Sequence, residues 1–253
     1  MGDKTRIEWT DASWNPVSGC YHHCTYCYAR RIANRFSPIE PVVVGHVLDA
    51  PAVNSNGKVE PYPNGFEPTF HRYRLDIPSK WKKPRNIFVC SMADLFGRWV
   101  PDEWITEVFK ACVPPHRYLF LTKNPQRYWD LYEAGLMPEN RTNMWFGTSV
   151  TTAESPFFYI EGTQDVGKDH NGFLSIEPLL EDFEVRDLSF TGIKWVIIGA
   201  ETGNRKGKVV PKKEWVDHLL ESCDCSGIKV FMKDSLVPIV GEENMRREFP
   251  WED

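Results

Sequence analysis

Three cysteines lie close together near the start of the chain, at Cys20, Cys24 and Cys27. Their C-x3-C-x2-C spacing is short enough for one loop to present all three thiols to one metal centre. A structural zinc site normally has four ligands, so zinc would also need His22, His23 or a distant cysteine. A cubane iron–sulfur cluster held by three cysteines instead leaves one iron without a protein ligand. The spacing therefore predicts a metal centre and leaves zinc and iron–sulfur open.

Composition favours metal ligation over disulfides. The 253 residues include seven cysteines, an odd number that cannot pair completely, and the first 14 residues mix charged with apolar side chains, unlike an export signal. We therefore expect a cytoplasmic protein with reduced thiols. No uninterrupted apolar run approaches the roughly 20 residues that cross a membrane, so we expect no membrane association.

The net charge of −5 lacks the basic footprint of a protein that holds nucleic acid mainly through phosphates. Two local basic patches leave such binding open, although charge runs more often lie on solvated surface. They comprise Lys80, Lys82, Lys83 and Arg85, and Lys206, Lys208, Lys212 and Lys213.

The elements that must position the cysteines follow an alternating pattern. After residue 84, short apolar runs alternate with amphipathic stretches, which is typical of repeated strand–helix units. We predict parallel strands at residues 86–91, 117–122, 144–150, 172–176, 194–199 and 228–232. Helices are predicted at residues 28–36, 101–112, 125–134 and 211–222.

These elements predict an α/β fold in a single domain over residues 1–253, shaped as a partial (βα)6-type TIM-like barrel. A seventh strand is expected before Cys20, so that the cysteine loop leads into the first helix. Residues 37–84 are rich in proline, glycine and asparagine and have apolar runs around Val42 and Val47. They predict an inserted hairpin and loop region.

Polar residues at the predicted strand ends are candidates for ligand binding, because ligands of such barrels bind at the carboxyl ends of the strands. Each candidate also has a purely structural interpretation: serine and lysine could cap helices, the carboxylates could form salt bridges, and the cysteine could be a small buried residue. The candidates are Cys90, Ser91, Asp94, Lys123, Ser149, Glu177 and Glu201.

The cysteine loop resembles the signature of the radical S-adenosylmethionine (SAM) superfamily, C-x3-C-x-aromatic-C, with Tyr26 at the aromatic position. The resemblance implies a [4Fe-4S] cluster on the three cysteines, with SAM bound at the open iron and Tyr26 near the adenine. It further implies reductive cleavage of SAM to methionine and a 5′-deoxyadenosyl radical that abstracts hydrogen from a substrate. A reductant such as flavodoxin or ferredoxin is implied as a partner.

Among characterised enzymes, the chain is similar to the spore photoproduct lyase family. Tyr28 follows the last cluster cysteine as a tyrosine does in that family, and Ser91, Lys123 and Ser149 match the residues that hold the methionyl end of SAM there. Lysine can pair with the methionyl carboxylate, and serine can bind its amine or carboxylate. The family's cysteine hydrogen donor implies a similar role for Cys90.

Over nearly its whole length the chain also resembles an uncharacterised, phage-associated, radical-SAM-like family, which implies fold and cofactor but no substrate. Within the radical SAM hypothesis, Glu177 and Glu201 are candidates for binding ribose or substrate and for proton transfer. The substrate stays open, with nucleic acid or a nucleotide among the options. The alternative function is a non-catalytic zinc- or iron–sulfur-binding module that binds nucleic acid. The segments that carry the resemblance are Ile7-Glu8-Trp9-Thr10, Trp14-Asn15-Pro16, Lys82-Lys83-Pro84-Arg85, Asp94-Leu95-Phe96, Ser175-Ile176-Glu177-Pro178 and residues 195–203.

Overall fold

The structure is a computed structural model that describes residues 5–37, 45–152, 171–182 and 192–252. The chain divides into two compact units, one formed by residues 1–120 and 133–144 and the other by residues 121–132 and 145–253. In chain order, the described elements are β1 (Ala12–Trp14), β2 (Val17–Ser18), α1 (Tyr28–Phe36), β3 (Val47–Leu48), β4 (Thr69–His71), β5 (Asn86–Val89), α2 (Asp102–Lys110), β6 (Arg117–Thr122), α3 (Gln126–Glu133), β7 (Met144–Ser149), β8 (Gly172–Ile176), β9 (Ile193–Ile198), α4 (Lys213–Ser226), β10 (Lys229–Met232) and α5 (Val237–Val240).

The main sheet has seven strands in the order β1-β5-β6-β7-β8-β9-β10. In the first unit, β1 pairs in parallel with β5, and β5 pairs in parallel with β6. Trp14, Ile87 and Tyr118 on these strands are fully buried. Such apolar strands are expected when both faces of a parallel sheet are covered.

A second, three-stranded sheet in the first unit has the order β2-β4-β3. Strand β4 pairs antiparallel with β2 and in parallel with β3. The buried side chains of Ser18 on β2 and His71 on β4 link these two strands, with the Ser18 hydroxyl 2.8 Å from His71 Nε2. Because β2 ends one residue before Gly19, this sheet fixes the start of the cysteine loop.

The second unit is built on β8, β9 and β10, which pair in parallel, and on β7, which pairs in parallel with β8. Its core includes Leu174, Val196 and Val230 from the strands and Leu219 from α4, all fully buried. Gly227 ends α4 in the left-handed conformation at φ 66°, with its N–H bonded to the Asp224 carbonyl. Glycine adopts this conformation without steric cost, which makes it a common helix terminator.

The predicted α/β class and the parallel sheet with a strand before Cys20 are confirmed, whereas the TIM-like character of the predicted partial barrel stays a prediction. The predicted strand bounds agree within two residues. Strand β5 ends at Val89 instead of residue 91 because Cys90 leaves the extended conformation, with φ 59°. Helix α4 runs to Ser226 instead of residue 222, ending where Gly227 provides the cap.

Residues 37–84 contain an antiparallel bridge between Val53 and Val59, while Val47 pairs in parallel with Phe70. The predicted apolar run at Val42 lies outside the described residues. Within the described ranges, no helix is long and apolar enough to cross a membrane. The single domain and the cytoplasmic location stay predictions.

The buried imidazole of His71 predicts a pH-dependent stability. Burial, with a smaller contribution from the nearby Arg74 charge, lowers the pKa of His71 from 6.5 to about 3. Protonation therefore favours the unfolded chain, so the stabilisation is complete above about pH 6.5 and decreases as pH falls towards 3. When the pH is lowered from 7 to 5, the unfolding free energy of His71→Gln should therefore fall by about 2 kcal/mol less than that of the unmodified protein. Urea denaturation at the two pH values measures this difference.

His218→Gln is the matched control, because His218 lies at the surface beside Asp182. It should leave most of the pH dependence in place. An unchanged pH dependence in His71→Gln would contradict the assignment to His71.

Candidate metal centre

The cysteine loop starts at Gly19, where the backbone leaves little room. Gly19 has φ 91°, and a Cβ built there would overlap the Glu67 carbonyl and lie 2.6 Å from Pro68 N. Its N–H donates to the Met92 carbonyl at 2.9 Å, and the next N–H, of Cys20, donates to the Phe66 carbonyl at 3.2 Å. Main-chain contacts on two sides therefore fix the start of the loop.

The three loop cysteines differ from most other cysteines of the chain in their exposure. Cys20, Cys24 and Cys27 are free thiols of intermediate exposure, whereas three of the other four are buried and Cys225 is exposed. Thiols that are accessible but held in a structured loop are the type that can take a metal ligand role.

Main-chain N–H groups point at two of the three sulfur atoms. Cys20 Sγ accepts from the N–H of His22 at 3.5 Å, and Cys27 Sγ accepts from the N–H of Arg30 at 3.3 Å. Cys27 is the N-cap of α1, and its own N–H donates to the Cys24 carbonyl at 3.2 Å. N–H donors and a helix N-terminus stabilise negative charge, so this arrangement suits a thiolate.

The thiol of Cys20 stays protonated at neutral pH unless a cation binds beside it. Burial raises its pKa to about 12, the His22 N–H opposes this shift, and Asp94 and the two other loop cysteines add to it. Metal binding would displace the proton. The donor set therefore fits a cationic metal centre in its chemistry.

The arrangement of the possible ligands is a separate question. Within the described ranges, no group of three or more His, Cys, Asp and Glu side chains is arranged to hold a metal ion, so ligation by all three cysteines stays a prediction.

A histidine of the cysteine loop is paired with an aspartate that follows β5. His22 Nε2 is 2.7 Å from Asp94 Oδ2, and Asp94 Oδ1 accepts from the N–H of Phe96 at 3.0 Å. The His22 ring meets the Trp99 ring edge-on at 4.9 Å between centroids. In the alternative zinc site, the Asp94 contact leaves Nδ1 as the nitrogen of His22 available to the metal.

The end of β5 is brought to the same loop. The Tyr28 hydroxyl donates to the Ser91 carbonyl at 2.8 Å, so two residues predicted to bind SAM are adjacent. The Ser91 hydroxyl donates to Asn15 Oδ1 at 3.2 Å, and the Met92 N–H donates to the same oxygen at 2.9 Å. The role of Ser91 and Tyr28 in SAM binding, like that of the half-buried Tyr26, stays a prediction.

Sequence reasoning missed Asn15 as a residue that orients the site. Its side chain is buried, and its own carbonyl accepts from Arg74 Nη1 at 3.0 Å. A signal was present: an amide placed directly after the apolar strand that pairs with β5 must find a buried partner.

Cys90 is 2% exposed, and burial raises its pKa to about 12. Its N–H donates to the Trp14 carbonyl at 2.8 Å. These surroundings suit a small buried residue, and the hydrogen-donor role stays a prediction.

The remaining predicted residues lie in the second unit at strand ends. Lys123 follows β6 and Ser149 ends β7, both partly exposed.

The two predicted catalytic carboxylates of this unit are ion-paired. Glu177 is ion-paired with Lys233. Glu201 accepts two bonds from Arg205, at 2.6 and 2.7 Å, and this guanidinium lowers the pKa of Glu201. Both carboxylates thus form the ion pairs of their structural interpretation, and their catalytic roles stay predictions.

A family model described as "Protein of unknown function (DUF5131)" matches residues 4–237. The chain belongs to this family. The match includes the cysteine loop, Asn15 and every strand of the main sheet. No curated protein matches the chain. The family description carries no chemistry, so the resemblance to radical SAM enzymes stays a prediction.

Gly19→Ala tests whether the loop depends on the close approach to Glu67. Gly57→Ala is the matched control, since Gly57 also has a positive φ, 74°, but no atom lies within 4 Å of its would-be Cβ. The control should cost about 1–2 kcal/mol in unfolding free energy for the left-handed backbone alone. We expect Gly19→Ala to cost more and to speed the reaction of the loop thiols with a thiol reagent. Equal costs in the two variants would contradict the packing argument.

Proposed function

We propose that this protein is a radical SAM enzyme that holds a [4Fe-4S] cluster on Cys20, Cys24 and Cys27 and cleaves SAM reductively. The observation that carries the proposal is the placement of three accessible cysteines, with the C-x3-C-x-aromatic-C spacing, on one loop anchored by main-chain contacts. When bound, the cluster would supply a one-electron reductant and an open iron for the amine and carboxylate of SAM.

The chain's own part at the cluster is to provide thiolates and to adjust their charge. The N–H groups of His22 and Arg30 donate to two of the sulfurs. Hydrogen bonds to cluster sulfurs are among the factors that set a cluster's reduction potential. The loop also places Cys27 at the positive end of α1.

The chain's part in binding SAM begins at Ser91. The Ser91 hydroxyl donates its hydrogen bond to Asn15 Oδ1. Its oxygen lone pairs can therefore accept a hydrogen bond from the amine of the methionyl group. Tyr28 holds the Ser91 carbonyl and so limits the movement of this segment. By the same resemblance, Lys123 pairs with the methionyl carboxylate, and Ser149 contributes a further hydrogen bond.

The substrate that loses a hydrogen atom is a separate part of the proposal, with a nucleic acid or nucleotide as one class. The second candidate function is a zinc- or iron–sulfur-binding module that binds nucleic acid without catalysis. One feature favours it: Lys82 and Lys83 are exposed, and the Arg85 guanidinium lies over the Trp81 ring at 4.9 Å from its centroid.

Metal content separates the two functions. Anaerobic reconstitution should give about four irons per chain, a brown colour and an electron paramagnetic resonance signal that SAM perturbs. Reductant plus SAM should yield 5′-deoxyadenosine. Colourless protein with one tightly bound zinc would overturn the proposal.

Cys27 variants test the ligand role apart from the helix cap. Cys27→Ala should abolish both iron and 5′-deoxyadenosine. Cys27→Ser should also lose most iron yet preserve the start of α1, because serine is a favoured N-cap, which circular dichroism and thermal unfolding would show. Cys225→Ala, an exposed cysteine outside the loop, is the control and should keep full iron. Full turnover in Cys27→Ala would refute the assignment.

Lys123→Ala tests the predicted pairing with the SAM carboxylate. Loss of a charge-assisted hydrogen bond of about 1.5–3 kcal/mol should weaken SAM binding roughly 10- to 100-fold while iron content stays unchanged. Calorimetric titration of the reconstituted protein measures both the affinity and its stoichiometry. Lys194→Ala is the control, since Lys194 is exposed and bonded to Asn171. Unchanged affinity in Lys123→Ala would remove this lysine from the site.

A further inference from the structure

Helix α1 exposes one face of large apolar and arginine side chains. Tyr28, Ile32 and Phe36 are 45%, 38% and 52% exposed and follow one another at intervals of four residues. Arg31 and Arg35 are exposed on the same side, three and seven positions after Tyr28. These five residues, termed the α1 face, extend along about 12 Å of helix.

The helix is held in place by its other side. Ala29 and Ala33 are buried and pack in a cluster with Met92, which Phe66 also contacts. Arg30 turns away from the α1 face, because its guanidinium donates to the Cys20 carbonyl at 3.2 Å and lies over the Phe66 ring. Within the α1 face, Tyr28 also bonds to the Ser91 carbonyl through its hydroxyl, whereas Arg31, Ile32, Arg35 and Phe36 lie on the side of the helix opposite to these anchoring contacts.

The composition of the α1 face is that of a protein interface. Tyrosine, phenylalanine and arginine are enriched at the centres of interfaces, where lysine and acidic residues are depleted. Apolar side chains at i, i+4 and i+8 of a helix fit a complementary apolar surface. The two rings and the two arginines are also groups that bind nucleic acid. Ile32 separates the rings with an aliphatic side chain that cannot stack on a base, so an apolar protein surface fits this face better than a nucleic acid.

The charge of α1 specifies the kind of partner. Its nine residues include no acidic residue, and two of its three arginines, Arg31 and Arg35, lie on the α1 face, whereas the whole chain has a net charge of −5. The Arg35 guanidinium lies 5.6 Å from the Phe36 ring centroid, so charge and apolar surface are interleaved. An acidic protein surface with an apolar centre is complementary to this face.

The position of α1 specifies the role of that partner. The helix begins at Tyr28, directly after Cys27, so a protein seated on the α1 face lies beside the cysteine loop. We propose that the α1 face docks an acidic electron-donor protein of the flavodoxin kind. In this step the donor is oxidised by one electron, the metal centre is reduced by one electron, and no atom is transferred. The inference rests on the proposed function, whose resemblance already implies such a donor, and adds the surface on which the donor docks.

Direct binding tests the docking surface independently of turnover. Fluorescence anisotropy of a labelled acidic flavodoxin measures its affinity for the protein as isolated. We expect the Arg31→Glu/Arg35→Glu variant to bind at least about tenfold more weakly at low salt, and the difference to shrink at high salt. Lys82→Glu/Lys83→Glu changes net charge equally on another exposed surface and should bind as the unmodified protein does. Equal weakening in both variants, or none in the first, would overturn the proposal.

The apolar centre has its own variant. Ile32→Ser/Phe36→Ser leaves the charge unchanged and should weaken flavodoxin binding at both low and high salt, because apolar contacts are not screened. All substituted side chains are exposed, so thermal unfolding should change little. Retained affinity in this variant would overturn the proposed contact. The proposal would also be overturned if the protein did not bind flavodoxin and instead bound a labelled thymidine oligonucleotide through Arg31 and Arg35.

Turnover with two reductants separates failure of the docking surface from failure of the proposed function. In Arg31→Glu/Arg35→Glu, formation of 5′-deoxyadenosine driven by reduced flavodoxin should fall at least about tenfold, while formation driven by dithionite stays unchanged. Equal losses with both reductants would overturn the docking role. Absence of product from the unmodified protein with dithionite would instead overturn the proposed function, leaving the binding experiment to judge the surface.

Discussion

The close main-chain packing around Gly19 is the constraint on which the cysteine loop depends. At this residue the end of β2 passes against the backbone of Glu67 and Pro68, and the Gly19 N–H reaches the carbonyl of Met92. Any side chain at Gly19 would separate these segments. Because the loop is ordered by backbone contacts, a metal would meet thiols that are already positioned, and less of its binding free energy would go into ordering the chain.

A buried polar network extends this constraint to the end of β5. Asn15 accepts from Ser91 and Met92 through its side chain and from Arg74 through its carbonyl, while Trp14 Nε1 donates to the Arg74 carbonyl at 2.8 Å. Burial lowers the pKa of Arg74. Buried polar groups are costly unless they are satisfied, so each bond specifies one position for its partner. The network thereby ties the strand before the cysteines to the residue predicted to bind SAM.

The carboxylates of the second unit illustrate how the surroundings decide a side chain's role. Glu201 is buried beneath a two-point contact with Arg205, and Glu177 is ion-paired with Lys233 next to Gly199. A carboxylate whose pKa is lowered by a guanidinium is a weak proton acceptor, which favours a structural role for Glu201 over general base catalysis. Residue type and strand-end position alone do not separate these roles, because both roles use the same side chain.

Local features of this protein follow from the sequence alone: the cysteine spacing, the parallel strands with bounds correct within two residues, and the helix that starts at Tyr28. These depend on periodicity and on neighbours along the chain, which a sequence contains. The pairings of side chains became visible only in the folded chain: Asn15 with Ser91, Asp94 with His22, Glu67 with Gly19 and Glu201 with Arg205. Most of these partners lie more than 45 residues apart, and the Glu201 pair needs a particular turn, so their contacts follow from chain packing and not from any local pattern.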